Sequence, residues 1–185
     1  MRTKQMGIDG PELPVVCFGT WPLGGAYGQI DESMAISTMH AAIDAGLTFI
    51  DTAEGYMNAE ALIGKAIKSV RGNLFLATKV SGEDHSTEHI TSAVENSLAL
   101  MGTDHIDLYQ LHRPSARPIE DTMDDLIRMR DAGKIRYIGV SNFSVKQIAA
   151  GAKAGPIKSG QPRYNLLFRE TENDILPAHQ KNGIG

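Results

Sequence analysis

"LTFIDTAEGY", residues 47–56, is an apolar run that stops at Asp51 and is followed by a second acid and by Tyr56. The run has the length and the β-branched and aromatic content of a buried strand. Taken alone, the stretch fits a polar strand end and a surface loop that holds a tyrosine. Whether Asp51 and Tyr56 do more depends on which residues end the other strands.

Further apolar runs recur along the chain at intervals of roughly 30 residues, which is the length of a strand plus a helix. They cover residues 15–21, 74–80, 106–112 and 135–141, and a weaker sixth run lies within residues 157–166. Stretches with apolar residues at helical spacing separate them, for example Leu62, Ile63, Ala66, Ile67 and Val70. Capping residues and glycines border these stretches, namely Asp31, Ser144, Gly46, Gly102 and Gly133. The chain is therefore predicted to repeat a βα unit.

The runs are almost continuously apolar, which is typical of parallel strands covered on both faces. Repeated βα units form either an open doubly wound sheet or a closed barrel. The glycine-rich G-x-G-x-x-G turn of the doubly wound nucleotide fold is absent, and so is the phosphate-binding G-x-x-x-x-G-K-[ST] loop. We therefore predict one α/β domain over residues 1–185, of the (β/α)8 TIM-barrel type. A full barrel has eight βα units and takes about 250 residues, whereas this chain has 185 residues and only about six units.

The composition is typical of a soluble globular protein, with 42% hydrophobic and 22% charged residues and a net charge of −4. Such a charge gives no attraction to nucleic acid or to an anionic membrane, so neither is predicted as a partner. No apolar run approaches the roughly 20 residues of a membrane helix, and no signal peptide is predicted. The single cysteine, Cys17, excludes an internal disulfide and a cysteine metal cluster. A cytoplasmic location is expected, with no metal site.

Polar residues stand where the predicted strands end. In a βα barrel the carboxyl ends of the strands converge on one mouth, where the chemistry takes place. The candidate residues at this mouth are Gly19, Thr20, Trp21, Asp51, Tyr56, Lys79, His112, Ser141, Asn142 and Gln161.

An acid, a lysine, a tyrosine and a histidine at one mouth can protonate a carbonyl oxygen. The pKa of a free tyrosine is near 10, and a neighbouring ammonium such as that of Lys79 lowers it. Asp51 beside Lys79 would keep the lysine charged, so that Tyr56 donates its proton as negative charge develops on the oxygen. His112 could orient the same oxygen. No side chain supplies hydride, so a nicotinamide would have to bring it.

At these positions the sequence resembles the aldo-keto reductase family. The motifs that carry the resemblance follow the family's order: "FGTW" (18–21), "DTAEGY" (51–56), "ATKV" (77–80), "LHRP" (111–114), "IGVSNF" (138–143) and "QPRYN" (161–165). One local departure is "YMNAE" (56–60), where the family often has a Gly-x-Ser-Glu turn; Glu60 retains the acid.

The resemblance implies a role for each matching residue. Tyr56 would be the general acid, Lys79 would modulate its pKa, Asp51 would pair with Lys79, and His112 would orient the carbonyl. The residues implied to contact the nicotinamide cofactor are Gly19, Thr20, Trp21, Asp51, Ser141, Asn142 and Gln161; those implied to contact substrate are Trp21, Tyr56 and His112. The implied cofactor is NADPH, with NADH possible, and the substrate is a small aldehyde or ketone.

Simpler interpretations of the same residues stay open. Asp51 and Lys79 could form a purely structural ion pair. His112 could be held by the backbone, and Ser141 and Asn142 could cap the next helix. Trp21 could belong to the core.

The resemblance also implies two more strands after "GIG" (183–185), so an incomplete barrel is expected. Its open edges are expected to be hidden in a homo-oligomer, or to leave the chain unstable. An incomplete barrel is also expected to bind the cofactor more weakly. A catalytically silent binding or scaffold domain is therefore the alternative function. A third possibility is an aldolase-like enzyme in which Lys79 forms a Schiff base.

Overall fold

Six parallel strands, joined by hydrogen bonds in chain order, form the central sheet in a computed structural model that describes all residues 1–185. A two-stranded antiparallel hairpin, β1 (Thr3–Gln5) and β2 (Glu12–Pro14), precedes the sheet. The strands of the sheet are β3 (Phe18–Gly19), β4 (Phe49–Asp51), β5 (Phe75–Val80), β6 (Ile106–Leu111), β7 (Ile135–Ser141) and β8 (Ile157–Gln161). A doubly wound sheet would reverse its strand order at a switch point. This sheet does not, so the predicted barrel-type α/β fold is confirmed as a half-barrel of six strands.

A helix follows each strand from β3 onward. The helices are α1 (Glu32–Asp44), α2 (Ala59–Ile67), α3 (Thr87–Met101), α4 (Ile119–Asp131), α5 (Val145–Ala154) and α6 (Ile175–Lys181). Asp31 caps α1 by accepting a hydrogen bond from Met34 N at 3.0 Å, and Ser144 caps α5. Gly102 ends α3 in the left-handed conformation, with φ of +61°. None of the helices has both the length and the apolar character that crossing a membrane demands.

Three predicted boundaries were wrong. The run at 15–21 contributes only Phe18–Gly19 to the sheet, because Thr20 and Pro22 lead into a 3-10 turn at Trp21–Gly24. The apolar run that begins at Leu47 contributes only Phe49–Asp51. Val70 lies outside α2, which ends at Ile67.

Alternation along the strands decides which residues face the barrel interior. Lys79 pairs in register with Gln110, and Asp51 pairs with Ala77, two residues before Lys79 on the same strand. Because side chains two apart on a strand share a face, Asp51, Lys79 and Gln110 all lie on the inner face. The intervening Tyr109 is fully buried in the main apolar core between the sheet and the helices.

The β1–β2 hairpin was not predicted from the sequence. Met6 and Leu13 of this segment pack against Ala77 and Leu108 in a small apolar cluster separate from the main core. The hairpin therefore covers part of the inner face of the sheet. All three residues of β1 are exposed and polar, so its sequence carries no alternating apolar signal.

Candidate active site

Lys79 and Asp51 form a buried ion pair at the carboxyl ends of β5 and β4. Lys79 Nζ lies 2.6 Å from Asp51 Oδ2 and donates a second hydrogen bond to the carbonyl oxygen of Thr52 at 2.7 Å. The other carboxylate oxygen of Asp51 accepts a hydrogen bond from Gln110 Nε2 at 3.2 Å. Lys79 is only 1% exposed, and a charge so deeply buried requires such partners. An ammonium has three donors, so one N–H of Lys79 has no protein acceptor.

Tyr56 lies against this ion pair on one side and against two other rings. Lys79 Nζ is 5.2 Å from the centroid of the Tyr56 ring. The His112 ring meets Tyr56 edge-on at 5.7 Å, and Trp21 is stacked at 6.3 Å, both between centroids. A side chain at Gly24 would place its Cβ 2.2 Å from the carbonyl oxygen of Tyr56, so glycine there lets the loop that carries Tyr56 approach closely.

The lowered pKa predicted for Tyr56 is not found. Burial, and then the negative charge of Asp51, raise the pKa of the Tyr56 hydroxyl above its ordinary value. The charge of Lys79 is balanced by Asp51 at 2.6 Å, and no hydrogen bond joins Lys79 to the Tyr56 hydroxyl. In this structure Tyr56 is therefore a phenol that keeps its proton at neutral pH.

His112 follows the last residue of β6 and is also uncharged near neutral pH. Burial lowers the pKa of His112, and the positive charges of Lys79 and Arg113 lower it further, against a smaller opposing effect of Asp51. Nδ1 of the ring lies 3.2 Å from Ser81 Oγ, whereas Nε2 has no hydrogen-bond partner in the protein. One nitrogen of the imidazole is thus held, and the other is available to a ligand.

Ser141, Asn142 and Gln161 meet where β7 and β8 end. Ser141 Oγ donates to the main-chain oxygen of Gln161 at 2.8 Å. Asn142 Nδ2 donates to the main-chain oxygen of His112 and to Ser141 Oγ, both at 3.0 Å. The capping role considered for Ser141 and Asn142 belongs instead to Ser144, whose hydroxyl and Gln147 form a capping box on α5.

Asn142 adopts the left-handed backbone conformation, with φ of +61°. Asn142→Gly and Asn142→Ala both remove the side-chain amide, but only alanine strains the backbone there. We expect Asn142→Ala to lower the free energy of unfolding by about 1–2 kcal/mol more than Asn142→Gly does. Urea denaturation of the two variants measures this difference, and equal stabilities would contradict it.

Thr20 and Trp21 stand at the end of β3 and differ in exposure. Thr20 is fully buried, and its N–H and its hydroxyl both donate to the main-chain oxygen of Asp51 at 3.0 Å. Thr20 therefore fixes β3 to the end of β4, next to Gly19. Trp21 is 53% exposed and packs against Tyr27 with a centroid distance of 5.7 Å, so it is not a core residue.

Three polar residues near the site were not predicted. Gln110 bonds Asp51, and Ser81 contacts His112. Glu54 accepts a hydrogen bond from the main-chain N–H of Ser81 at 2.8 Å. The sequence feature that could have identified Gln110 is its position as a glutamine inside the apolar run at 106–112, because a buried amide in a strand needs a hydrogen-bond partner.

Glu60, the acid retained in the local departure, is buried behind the sheet. It accepts a hydrogen bond from Thr78 Oγ1 at 2.6 Å, and burial raises the pKa of its carboxyl group. It therefore fastens α2 to β5 and does not contact Tyr56 by a hydrogen bond. No group of three or more His, Cys, Asp or Glu side chains is placed to hold a metal ion.

The family to which this arrangement belongs is shown by comparison with known proteins. The sequence profile of the aldo/keto reductase family matches residues 15–185. This chain is a member of the aldo/keto reductase family. Among curated aldo/keto reductases it is 42% identical to aldo-keto reductase YhdN of Bacillus subtilis (strain 168) over 198 residues, covering 100% of this chain and 60% of YhdN. It is 31% identical to the NADH-specific methylglyoxal reductase of Escherichia coli (strain K12), covering 100% of this chain and 65% of that protein.

Solved aldo/keto reductase structures share the fold. The thermostable aldo-keto reductase Tm1743, solved with the inhibitor epalrestat, matches with a TM-score of 0.92 and 36% identity over 100% of this chain and 70% of its own. An aldo/keto reductase from Klebsiella pneumoniae, solved with NADP and acetate, matches with a TM-score of 0.89 and 30% identity over 100% and 66%. The chain thus spans less than two thirds of the length of these curated relatives.

Proposed function

We propose that this aldo/keto reductase reduces a small aldehyde or ketone to an alcohol, with a reduced nicotinamide as the electron donor and Tyr56 as the proton donor. The observation that supports this most directly is the grouping of the Tyr56 ring with Lys79 and His112, at 5.2 Å and 5.7 Å, at one end of the sheet. The Lys79 ammonium is held there by its buried ion pair with Asp51.

The residues at the ends of β7 and β8 fit a nicotinamide carboxamide. Asn142 uses both amide hydrogens within the protein, which leaves its Oδ1 free to accept. The side chain of Gln161 is exposed and makes no hydrogen bond in the structure. The free acceptor Oδ1 of Asn142 and the free side-chain amide of Gln161 match the donor and acceptor of a carboxamide. The main-chain oxygen of Gln161 brings the two residues together. Such a cofactor, when bound, would supply the hydride.

The proton side of the reaction is assigned to residues of this chain. As a hydride reaches the carbonyl carbon, negative charge develops on the carbonyl oxygen, and the Tyr56 hydroxyl donates its proton to that oxygen. Its raised pKa keeps the proton in place until the oxygen becomes basic enough to take it. The Lys79 ammonium, whose Nζ lies 5.2 Å from the centroid of the Tyr56 ring, is the positive charge beside the phenolate that results. Neutral His112 can donate a hydrogen bond to the same substrate oxygen through Nε2.

NADPH is proposed as the preferred cofactor and NADH as the second choice. The Klebsiella structure contains NADP, whereas the Escherichia coli relative is named as NADH-specific. The cytoplasm is proposed as the location, since its NADPH pool would supply the reductant. The homo-oligomer expected from the sequence stays a prediction, which light scattering of the purified chain tests.

Titration of the purified chain with NADPH tests the proposed cofactor site. Trp21 is the only tryptophan, and it stacks on Tyr56, so a nicotinamide bound at Asn142 and Gln161 should quench its fluorescence. We expect saturable quenching with a Kd below about 100 μM, roughly −5.5 kcal/mol. Gln161→Ala should weaken this binding, and Gln180→Ala, at another exposed glutamine on α6, is the matched control.

The titration, together with a turnover assay and a borohydride trapping assay, distinguishes three cases. Absence of quenching in a chain that is folded by circular dichroism would contradict the proposed cofactor site. Quenching without turnover of any aldehyde would favour the silent binding domain. Borohydride trapping of a carbonyl compound on Lys79 would favour the Schiff-base enzyme.

A further inference from the structure

Ser81 joins the loop that carries Tyr56 to the ring of His112. It directly follows β5, and its hydroxyl oxygen accepts a hydrogen bond from the main-chain N–H of Gly55 at 2.9 Å. The same oxygen lies 3.2 Å from His112 Nδ1. Its own main-chain N–H donates to Glu54 Oε2 at 2.8 Å, so the backbone of Ser81 is fixed as well.

The direction of the Ser81–His112 hydrogen bond follows from the donors and acceptors present. A serine hydroxyl has one proton to donate and two lone pairs. One lone pair of Ser81 receives the Gly55 N–H, and the only acceptor in the protein within reach of its proton is His112 Nδ1. If Nδ1 carried a proton, the hydroxyl would accept twice and its own proton would have no protein acceptor. The arrangement therefore favours Ser81 as donor and Nδ1 as acceptor.

A neutral imidazole carries one proton, so an accepting Nδ1 places that proton on Nε2. We infer that Ser81 is a positioning residue that holds His112 in the Nε2–H tautomer, with its N–H available to the substrate carbonyl oxygen. The other tautomer would present a lone pair to that oxygen, which repels it. The lowered pKa of His112, caused by burial and by Lys79 and Arg113, is consistent with a neutral ring. The catalytic consequence rests on the proposed function, whereas the tautomer itself does not.

Imidazole ¹⁵N chemical shifts of His112 test the tautomer directly, in the chain without cofactor or substrate. Protonated and unprotonated ring nitrogens have widely separated shifts, and the signal that disappears in His112→Gln identifies the residue. We expect a protonated Nε2 and an unprotonated Nδ1 in the wild-type chain. Ser81→Ala should move both shifts toward the average of two exchanging tautomers, and Ser81→Thr, which retains a hydroxyl, should restore them.

Two further variants separate this role from a general effect on folding. Ser115→Ala removes another hydroxyl, which bonds the Glu83 oxygen on the adjacent loop, and should leave the His112 shifts unchanged. Gly55→Ala keeps the Ser81 hydroxyl but would place a methyl group 2.8 Å from it, so it should disturb the shifts as Ser81→Ala does. It provides the test if Ser81→Ala does not fold.

A proton on Nδ1 in the wild-type chain would overturn the inference. So would a Ser81→Ala variant that folds and remains as uniformly Nε2–H as wild type. In assays of carbonyl reduction, Ser81→Ala should lower kcat. The decrease should not exceed roughly 10²–10³-fold, which is the cost of losing one oxyanion donor. Failure of the proposed reductase activity would leave the ¹⁵N result unaffected, so the two hypotheses can fail separately.

Discussion

Replacing Tyr56 by phenylalanine is expected to lower kcat/KM for carbonyl reduction by roughly 10²–10⁴-fold, the contribution of a general acid. The free energy of unfolding should hardly change, because the Tyr56 hydroxyl makes no hydrogen bond in the structure. Phenylalanine also keeps the ring that packs against Trp21 and His112. Oxidation of NADPH in the presence of a panel of aldehydes measures the first effect, and urea denaturation measures the second.

Tyr27→Phe is the matched control for this experiment. Tyr27 also packs against Trp21, but it is 76% exposed and its ring is not in contact with Lys79 or His112. We expect Tyr27→Phe to keep kcat within a few fold of the wild-type value. Substantial turnover in Tyr56→Phe would show that the proton comes from another group, and the proposed mechanism would be wrong.

The fold could be predicted from the sequence because its signals are local. Apolar runs, the caps Asp31 and Ser144, and a glycine such as Gly102 act within a few residues, and the structure places them as expected. The site residues could be grouped because strand order alone brings the strand ends together in a parallel barrel. The predicted strand at 15–21 was too long, because Val15 and Val16 lie exposed ahead of β3.

Features that depend on three-dimensional balance could not be predicted. The direction of the Tyr56 pKa shift depends on how deeply Tyr56 is buried and on how far Asp51 cancels the charge of Lys79. The spacing of the motifs along the sequence encodes neither quantity. Ser81 and Gly55 are 26 residues apart, so their hydrogen bond leaves no local pattern. The β1–β2 hairpin packs on Ala77 and Leu108 through Met6 and Leu13, and these two residues form no periodic apolar pattern in the sequence.

The buried pair of Lys79 and Asp51 gives the largest expected effect on stability. Lys79→Met leaves the carboxylate of Asp51 without its cation, and Asp51→Asn leaves the ammonium of Lys79 without its anion. Each change should lower the free energy of unfolding by about 3–5 kcal/mol, because it leaves an uncompensated buried charge. The double variant has no unpaired charge and should regain most of this loss, since replacing both members of a buried pair is often nearly neutral.

An exposed ion pair of the same length is the matched control. Lys65 and Glu32 are also 2.6 Å apart, but both side chains are 54% exposed. Lys65→Met and Glu32→Gln should each change the free energy of unfolding by no more than about 1 kcal/mol, because solvent screens the pair. For each of the two ion pairs, urea denaturation of the two single variants and of the double variant gives the coupling energy of that pair. Equal coupling energies for the buried and the exposed pair would contradict the burial argument.

Activity of the double variant decides between a structural and a catalytic role for Lys79. If Lys79 and Asp51 only stabilise the fold, then Lys79→Met/Asp51→Asn, once its stability returns, should also recover turnover. The proposed mechanism requires the opposite result, because the phenolate left by Tyr56 would then face a methionine with no positive charge beside it. A stable double variant should therefore turn over at least roughly 10²-fold more slowly than wild type at saturating NADPH.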